Sequence, residues 1–475
     1  MSAAELRAAL ERLCKERPDL RFLSDSEEMT PYLREWRDAY RGEAAAVALP
    51  SSVEDVVALV KLARECDGVH LVPQGGNTGL VGGQIAFDSE HAITVSMARM
   101  NRILEIDPAN NTLTCEAGAL LADVQAAADD ANKLFPLSLA SQGSCRIGGV
   151  LSTNAGGCEV LRYGCAGDLL LGIEVVLSDG SVWDGMRPLR KDNTGYDLKR
   201  LFIGAEGTLG IITRAVLRLF PKPRSLMCAF VGIDSPSAGL SLLREAEEMS
   251  GGEVTAFELM PRIAIEMVER HTPSIRIPLE SNAPWYVLLE ISSSREEKDA
   301  TDRTEKILAN AFDKNLILDG TIANSKAQEE NFWSIRESIS ESQKREGGSI
   351  KHDVSVSVSR MPEFLERATK AVEEALAGIR VVAFGHMGDG NIHFNLSQPT
   401  DMERDAFMLE SERFHRIVYD IISDMGGSIS AEHGIGIAKL EENARHKSGV
   451  EQNLMRALKR ALDPGGIFNP GKLID

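Results

Sequence analysis

Several features that define whole classes of protein are missing from this 475-residue sequence. Its seven cysteines are scattered, odd in number and free of any C-x-x-C pair, which argues against a disulfide scaffold or a cysteine zinc site and indicates a reducing compartment. No run of 18 apolar residues occurs, so no transmembrane helix is predicted. The N-terminal stretch MSAAELRAALERLCKERPDL lacks the apolar core of a secretory signal. We therefore expect a cytoplasmic protein, with peripheral membrane contact left open.

Positive charge is also scarce. The chain has 52 Lys and Arg against 71 Asp and Glu, a formal net charge of -19, which argues against nucleic acid or an anionic membrane surface as partner. An anionic substrate would need a locally positive pocket. Internal repeats and low-complexity segments are absent as well. Because the length exceeds what one hydrophobic core usually supports, two or more domains are expected.

Short apolar strands alternate with amphipathic helices along the chain, which predicts α+β or α/β domains. The stretch SSVEDVVALVKLAREC predicts a helix that begins with a capping box from Ser51 to Glu54. Two prolines in LFPKPR break the chain, and a second α+β stretch follows. The predicted divisions are a first domain over 1–224, a second domain over 225–430 and a C-terminal segment over 431–475.

Three glycine-dense stretches lie in the first domain: PQGGNTGLVGGQ, SQGSCRIGGVLSTNAGGCEVLRYG and FIGAEGTLGIIT. Glycines at this density let backbone N–H groups approach an anion and form nests for phosphate oxygens, although a series of tight turns is the alternative. None is G-x-G-x-x-G, so the Rossmann fingerprint fails. The late stretch GGIFNPGKL imitates a Walker A loop through Lys472 but has Leu473 where Ser or Thr is needed, so an ATP site is rejected.

Two histidines flank a glycine-rich turn in FGHMGDGNIHFN, and SAEHGIG follows with Glu432 and His433 adjacent. On one straight strand His386 and His393 would point to opposite faces, but MGDG breaks the strand and lets both imidazoles converge. Two His and one carboxylate form an open metal site, whereas turn histidines and a surface Glu are the alternative. Asn395 shares the strand face of His393 and can donate to a substrate oxygen.

Cationic residues of interest lie earlier in the chain, in the stretch WSIRESISESQKREGGSIKHDVSVSV. Arg336 and Ser340 are i and i+4 on a polar helix, hence on one face. Lys351 is predicted to open the next strand after a Gly-Gly turn. Isolated Arg and Lys side chains are mostly solvated surface charges, and the residues alone assign them no further role.

The motifs PQGGNTGLVGGQ, GGVLSTNAGG, GAEGTLGIIT and FNPGK together resemble flavoproteins of the vanillyl-alcohol oxidase type, and within them the D-lactate and D-2-hydroxyglutarate dehydrogenase branch. The resemblance spans nearly the whole chain. It implies an α+β fold in which FAD lies between two α+β subdomains, with a cap domain for substrate and a C-terminal segment that returns to the flavin. Because PQGGNTG contains no histidine, FAD is expected to bind non-covalently. The resemblance implies these cofactor-binding residues: Pro73, Gly75, Gly76, Asn77, Thr78, Gly79, Gly143, Ser144, Gly148, Gly149, Asn154, Gly207, Ile212 and Asn469.

The resemblance also implies a divalent metal, usually zinc, on His386, His393 and Glu432. Manganese, cobalt or iron would suit the same ligands. Such a metal would bind the 2-hydroxyl and 1-carboxylate of a D-2-hydroxyacid while His433 takes the hydroxyl proton. A purely structural role for His433 beside the metal is the alternative.

Positions that look like Arg336, Ser340 and Lys351 grip the distal carboxylate of D-2-hydroxyglutarate in this branch. A methyl group in that place, as in D-lactate, would leave both cations buried and unpaired, which is costly. A five-carbon diacid is therefore favoured, with D-malate possible. Ser340 stands where threonine is common, which leaves length selectivity open.

The expected activity is oxidation of D-2-hydroxyglutarate to 2-oxoglutarate. Dehydrogenation of D-lactate, D-malate or many D-2-hydroxyacids, or an oxidase that uses oxygen, are the enzymatic alternatives. A non-catalytic flavin-binding electron-transfer subunit is the alternative of another class, which the set His386, His393, Glu432 and His433 disfavours. Electron-transfer flavoprotein, a quinone or a cytochrome are the expected acceptors, and relatives suggest a homodimer.

Overall fold

The computed structural model describes residues 3–296 and 298–474. The chain forms two compact units. We call them unit 1, residues 1–157, 164–222 and 432–475, and unit 2, residues 158–163 and 223–431. The C-terminal segment thus belongs to unit 1, and the short segment 158–163 belongs to unit 2.

The helices are numbered in chain order. The α-helices are α1 Ala3–Glu16, α2 Ser26–Leu33, α3 Val53–Glu65, α4 Leu121–Asp130, α5 Ile147–Ser152, α6 Val160–Tyr163, α7 Pro236–Ser250, α8 Arg262–His271, α9 Asp299–Asp313, α10 Lys326–Arg345, α11 Met361–Ala375, α12 Arg404–Met408, α13 Ser411–Asp424, α14 Leu440–His446 and α15 Gly449–Leu462. Short 3-10 turns span Met97–Arg99, Leu198–Leu201 and Val358–Arg360. Within residues 3–296 and 298–474, no helix combines the length and the apolar character needed to cross a bilayer.

The strands are numbered in the same way. They are β1 Arg21–Leu23, β2 Glu43–Leu49, β3 His70–Gln74, β4 Phe87–Ser96, β5 Ile103–Asp107, β6 Thr112–Glu116, β7 Lys133–Leu134, β8 Leu170–Val176, β9 Val182–Gly185, β10 Ile211–Arg218, β11 Phe220–Pro221, β12 Ser225–Ile233, β13 Val254–Pro261, β14 Trp285–Ser293, β15 Asp319–Ile322, β16 Ser349–Ile350, β17 Asp353–Ser355, β18 Arg380–His386 and β19 Asn391–Ser397.

Unit 1 contains two main sheets. The first has the order β1-β2-β4-β3, with β4 parallel to both β2 and β3. The second is antiparallel, with the order β5-β6-β10-β8-β9. Its β8 and β9 form the hairpin expected from LLLGIEVVLSDGSVW. Two α+β halves within this unit match the expected fold class.

Helix α3 begins one residue later than predicted. Its N-cap is Ser52, whose Oγ accepts a hydrogen bond from the backbone N–H of Asp55 at 3.2 Å. The predicted capping box from Ser51 to Glu54 is therefore wrong. Ser51 instead donates its backbone N–H to the Asp55 carboxylate at 3.0 Å, because Asp55 is buried and is satisfied by both serines. Adjacent serines of equal capping propensity do not reveal this choice in the sequence.

The C-terminal stretch FNPGK ties together loops of unit 1. The Lys472 ammonium donates to the backbone carbonyls of Gly82 at 3.0 Å and Ile85 at 2.6 Å. The Asn469 amide donates to the carbonyls of Gly83 at 2.9 Å and Glu206 at 2.8 Å. Lys472 thus binds protein carbonyls, in agreement with the rejection of a phosphate-binding Walker A role.

Unit 2 is built on one antiparallel sheet with the order β15-β12-β14-β13-β18-β19-β16, and β17 also pairs with β19. Helices cover both faces. Along β13, Phe257 and Leu259 pack in the core under α7, α9, α11 and α13, while Met260 packs in the core under α8 and α10. Every residue of β13 is buried, so the strand shows no alternation of polar and apolar residues.

Candidate functional site

Unit 1 contains a cavity of about 770 Å³, a size typical of sites for small ligands and cofactors. The three glycine-dense stretches contribute to its wall. Most of the predicted cofactor residues line it: Pro73, Gly75, Gly76, Asn77, Thr78, Gly79, Ser144, Gly148, Gly149, Gly207 and Ile212.

Three predicted cofactor residues lie outside the wall of this cavity: Gly143, Asn154 and Asn469. Asn154 accepts a hydrogen bond from the backbone N–H of Gly167 at 2.9 Å through its side-chain oxygen. Asn469 donates to loop carbonyls from the C-terminal segment. In the structure, therefore, these two asparagines hold loops in place.

The first two glycine-dense stretches pack against each other backbone to backbone. A Cβ at Gly76 would lie 2.0 Å from the carbonyl oxygen of Ser144, and one at Gly75 would lie 3.2 Å from the Cα of Gly149. The first distance is far below van der Waals contact. Only glycine allows this approach, which brings the backbones of two loops together at one cavity wall. The residues of this wall fit a nucleotide cofactor.

Glu206 is a functional candidate that the motif analysis missed. Its buried carboxylate lies at the cavity and accepts hydrogen bonds from the backbone N–H groups of Ile435 at 2.7 Å and Gly436 at 2.8 Å. Burial raises the pKa of this carboxyl, and the two backbone donors oppose that rise. A lone carboxylate inside the glycine-rich FIGAEGTLG was the available signal. Glu206 orients the loop that carries the SAEHGIG motif.

Glu432 and His433 line the same cavity as the glycine loops. The Nε2 atom of His433 lies 3.5 Å from a carboxylate oxygen of Glu432. Both side chains are partly exposed. An imidazole at the wall of the cofactor cavity is placed where a proton acceptor for substrate would be needed.

His386 and His393 converge in unit 2. Strand β18 ends at His386, residues 387–390 form the turn, and β19 carries His393. The antiparallel register pairs Phe384 with His393, so His386, two residues after Phe384, lies on the same face. The centroids of the two imidazole rings are 5.7 Å apart. A tight hairpin thus brings together two side chains that one strand would separate.

Each of these histidines has Nδ1 directed toward a buried carboxylate. His386 Nδ1 lies 2.5 Å from Glu258 Oε1, and His393 Nδ1 lies 4.0 Å from Asp353 Oδ1. Metal-binding histidines commonly present their second ring nitrogen to a carboxylate in this way. Because a carboxylate accepts hydrogen bonds, Nδ1 of His386 carries the proton and Nε2 is the nitrogen suited to a metal. These side chains therefore fit a divalent metal.

Ala431, the residue before Glu432, is held in unit 2 by a backbone hydrogen bond. The backbone N–H of Ala431 donates to the carbonyl oxygen of Asp353 at 3.3 Å, and Asp353 is the register partner of His393. One peptide bond joins Ala431 to Glu432, so their Cα atoms are about 3.8 Å apart. The last residue of unit 2 therefore directly precedes Glu432 in the chain.

The residues predicted to bind substrate differ in their surroundings in unit 2. Arg336 donates from Nε to Glu258 Oε2 at 2.6 Å, and its guanidinium lies 4.8 Å from the ring centroid of Phe384. Asn395 is buried and donates to Gln343 Oε1 at 3.0 Å. The others are exposed: Ser340 and Lys351.

Lys351 does not open a strand as predicted. Strand β16 ends at Ile350 and β17 begins at Asp353, so Lys351 lies in the short connection between them. The backbone of Phe394 on β19 instead donates to the carbonyl of His352 in this connection at 3.0 Å. The single strand predicted after the Gly-Gly turn is instead two short strands, which pair with the same neighbour, β19.

Comparison with known proteins agrees with the cavity. A family model described as FAD binding domain matches residues 44–185, and one described as FAD linked oxidases, C-terminal domain, matches residues 222–473. The D-2-hydroxyglutarate dehydrogenase of Stutzerimonas stutzeri is 36% identical over 454 residues, which cover 95% of each chain. The mitochondrial D-2-hydroxyglutarate dehydrogenase of Arabidopsis thaliana is 37% identical over 454 residues, covering 95% of this chain and 79% of that protein.

Solved structures show the same fold. The structure of p-cresol methylhydroxylase with substrate bound superposes with a TM-score of 0.75 at 17% identity, covering 99% of this chain and 97% of that one. Alkyldihydroxyacetonephosphate synthase superposes with a TM-score of 0.73 at 18% identity, covering 98% of this chain and 84% of that one. The fold and the cavity define a flavoprotein oxidoreductase, as the glycine motifs predict. The chain belongs to the FAD-linked oxidase family, in its D-2-hydroxyacid dehydrogenase branch.

The predicted cytoplasmic location is contradicted by these relatives. The proteins from Arabidopsis thaliana, Oryza sativa and Bos taurus are named as mitochondrial, although a bacterial relative exists. The error lies in the criterion, because the lack of an apolar core argues only against secretory export. Mitochondrial import uses amphipathic, Arg-rich segments, which that criterion does not detect.

Proposed function

We propose that this protein oxidises D-2-hydroxyglutarate to 2-oxoglutarate with FAD and a divalent metal on His386, His393 and Glu432. The observation that carries the proposal is the pair of converging imidazoles, with Nδ1 of His386 2.5 Å from the buried Glu258 carboxylate. Relatives that share more than a third of their residues with this chain are named D-2-hydroxyglutarate dehydrogenases, which supports the substrate.

Bound FAD would accept the hydride from C2 of the substrate, and a bound metal would act as a Lewis acid toward its hydroxyl and carboxylate. The chain supplies the rest. His433 accepts the hydroxyl proton as the hydride leaves, so that charge balances in the alcohol-to-ketone step. Backbone N–H groups of the first glycine loop, from Gly75 to Gly79, bind the pyrophosphate, and this loop packs against Ser144 of the second. With no histidine in PQGGNTG, FAD binding is non-covalent in this proposal.

The distal carboxylate of the substrate is assigned to Arg336, Ser340 and Lys351. Arg336 uses Nε for Glu258, which is one of five N–H donors on the guanidinium. Its terminal nitrogens have the fork geometry that suits a carboxylate, and Lys351 adds a point charge. Arg336 and Lys351 would provide the locally positive pocket that a dianionic substrate needs in a chain of net charge -19.

Spectroscopy of the flavin under anaerobic conditions tests the proposal. Bleaching near 450 nm is expected to be fastest with D-2-hydroxyglutarate, slower with D-malate and slowest with D-lactate. Lys351→Ala should remove the preference for the diacids. Lys344→Ala is the matched control, because that lysine is equally charged and exposed near the end of α10. The assignment would be contradicted if D-2-hydroxyglutarate did not bleach the flavin, or if Lys351→Ala kept the preference for diacids.

A second candidate concerns the electron acceptor. A Saccharomyces cerevisiae relative, 36% identical over 455 residues that cover 94% of this chain and 90% of that protein, is named D-2-hydroxyglutarate–pyruvate transhydrogenase. Pyruvate therefore joins electron-transfer flavoprotein and a quinone as proposed acceptors. Pyruvate added to the bleached protein should restore the flavin absorbance and yield lactate if this chain is a transhydrogenase. If the flavin stays bleached, pyruvate is not the acceptor, and electron-transfer flavoprotein and a quinone remain.

A further inference from the structure

The feature of interest is Glu258, a carboxylate buried in the middle of β13. Its relative exposure is 0%, and it lies on the face of the unit 2 sheet that packs against α8 and α10. Neighbours of this core include Phe230, Met260 and Phe384. A charged carboxylate among such side chains is costly unless it is paired and hydrogen-bonded.

Both oxygens of Glu258 are engaged, each with a different candidate functional side chain. Oε1 lies 2.5 Å from Nδ1 of His386, and Oε2 accepts from Nε of Arg336 at 2.6 Å. The antiparallel register of β13 and β18 places Glu258 directly opposite His386, so the pairing follows from the sheet.

Contacts continue from these partners until they close on themselves. The Arg336 guanidinium lies 4.8 Å from the centroid of the Phe384 ring. The ring centroids of Phe384 and His393 are 5.2 Å apart, and those of His393 and His386 are 5.7 Å apart. We call this closed set the five-residue ring: Glu258, Arg336, Phe384, His386 and His393. Its members come from α10 and three neighbouring strands of one sheet.

We propose that Glu258 is a positioning residue that fixes the spacing between the metal-binding imidazole of His386 and the substrate-binding guanidinium of Arg336, and so favours a diacid of one length. The proposal rests on the proposed function, which supplies the roles of His386 and Arg336. A long Arg side chain has many rotamers, and a buried acceptor at its Nε selects one of them. The same carboxylate selects the tautomer and ring orientation of the imidazole.

Replacement of Glu258 by Gln tests this geometry with little change in volume. Gln has one acceptor oxygen and one NH₂ donor, so it can accept from only one of the two donors, His386 and Arg336. The other donor then faces an NH₂ group in a buried place. The expected results are a zinc affinity lower by about 10- to 100-fold and a raised KM for D-2-hydroxyglutarate. The ratio of kcat/KM for D-2-hydroxyglutarate over D-malate should also fall.

The matched control is Glu290→Gln. Glu290 is buried on β14, next to β13, and binds Thr255 Oγ1 at 2.7 Å and Trp333 Nε1 at 3.1 Å. Burial raises the pKa of its carboxyl, and the Gln amide keeps an acceptor oxygen for these donors. The substitution is identical in type and burial but leaves the five-residue ring intact. Zinc affinity and diacid preference are expected to equal those of the wild type.

Zinc binding to metal-stripped protein is measured by competition with a chromogenic chelator, and the diacid ratio is measured by steady-state kinetics. A loss in Glu258→Gln that Glu290→Gln lacks supports the proposal. Wild-type values in Glu258→Gln, with a wild type that binds zinc and oxidises D-2-hydroxyglutarate, overturn it alone. A wild type that does neither overturns the proposed function as well. If Glu258→Gln does not fold, Glu258→Asp keeps the charge but is one methylene shorter, and the same losses are expected; wild-type values there also overturn the proposal.

Discussion

His433 is the side chain to which the account assigns the proton transfer. It lies on the wall of the flavin cavity beside Glu432. Its chemistry suits the task because a neutral imidazole has one ring nitrogen that can accept a proton. If His433 only held Glu432 in place and transferred no proton, its replacement would change the rate of flavin reduction much less.

Replacement of His433 by Asn is expected to lower the rate of flavin reduction by D-2-hydroxyglutarate by about 10²- to 10⁴-fold, because general base catalysis is lost. The flavin content should not change. His446→Asn is the control, since this histidine lies in the same C-terminal segment and pairs with Glu442 at 3.2 Å, away from the cavity-lining set. Stopped-flow absorbance measures both variants. A reduction rate in His433→Asn within a few-fold of the wild type would contradict the assignment.

Glu159 offers a test of buried charge in unit 2. Burial, and next the charge of Glu290, raise the pKa of the Glu159 carboxyl to about 7, while Arg162 opposes the rise. The folded state then binds this proton more tightly than the unfolded chain, whose ordinary value is 4.5. The free energy of unfolding therefore falls as the pH rises from 4.5 to about 7.

Glu159→Gln removes this titration. The variant should gain thermal stability relative to the wild type as the pH rises across that window, and the two proteins should be most alike at its acidic end. Thermal unfolding of both proteins at matched pH values measures the difference. A difference in melting temperature that does not change with pH would show that Glu159 titrates normally.

A functional residue can be predicted from the sequence where it lies within a motif. It cannot be predicted where it is a single residue within a buried apolar strand. The glycine-dense loops and the adjacent Glu432 and His433 can be recognised from the local sequence. Glu258 and Glu290 each stand alone inside an apolar strand, TAFELMP and VLLEISS, that is buried on both faces. A single charged residue in such a run is unusual, since buried acids are nearly always paired. Their partners on α10 lie dozens of residues away, so only the fold identifies them.

The β18–β19 hairpin and the paired glycine loops are the elements that build the site. Strand β14 spans WYVLLEISS, a run in which aromatic and β-branched residues favour a strand. The connection around Lys351 was predicted less well, since two strands of two and three residues leave little periodic signal. The hairpin could be foreseen from MGDG, but the register that sets the two imidazoles on one face comes from the sheet.

Replacement of Gly76 by Ala tests the contact between the glycine loops. The added Cβ would lie 2.0 Å from the Ser144 carbonyl oxygen, so one loop must shift and the nest for the cofactor opens. Gly143→Ala is the matched control, because nothing lies within 4 Å of a Cβ there. The ratio of flavin to protein absorbance after purification should fall several-fold in Gly76→Ala alone. Full flavin content in that variant would contradict a cofactor on these loops.

The two units interleave along the chain. Residues 158–163 belong to unit 2 between two stretches of unit 1, and residues 432–475 return to unit 1. Domain boundaries predicted from a sequence divide the chain into contiguous segments. They therefore cannot place residues 158–163, which contain α6, in unit 2 while the residues on both sides belong to unit 1. The proposed metal ligands follow the same pattern, since two come from unit 2 and Glu432 opens the last stretch of unit 1.

The most direct test of the account is flavin reduction by metal-stripped protein. Metal is removed with a chelator, its absence is checked by elemental analysis, and D-2-hydroxyglutarate is added anaerobically in a stopped-flow spectrophotometer. We expect the flavin to stay bound and oxidised, and its reduction to return when Zn²⁺ or Mn²⁺ is added. Reduction of the metal-free protein at the rate of the untreated protein would contradict the account.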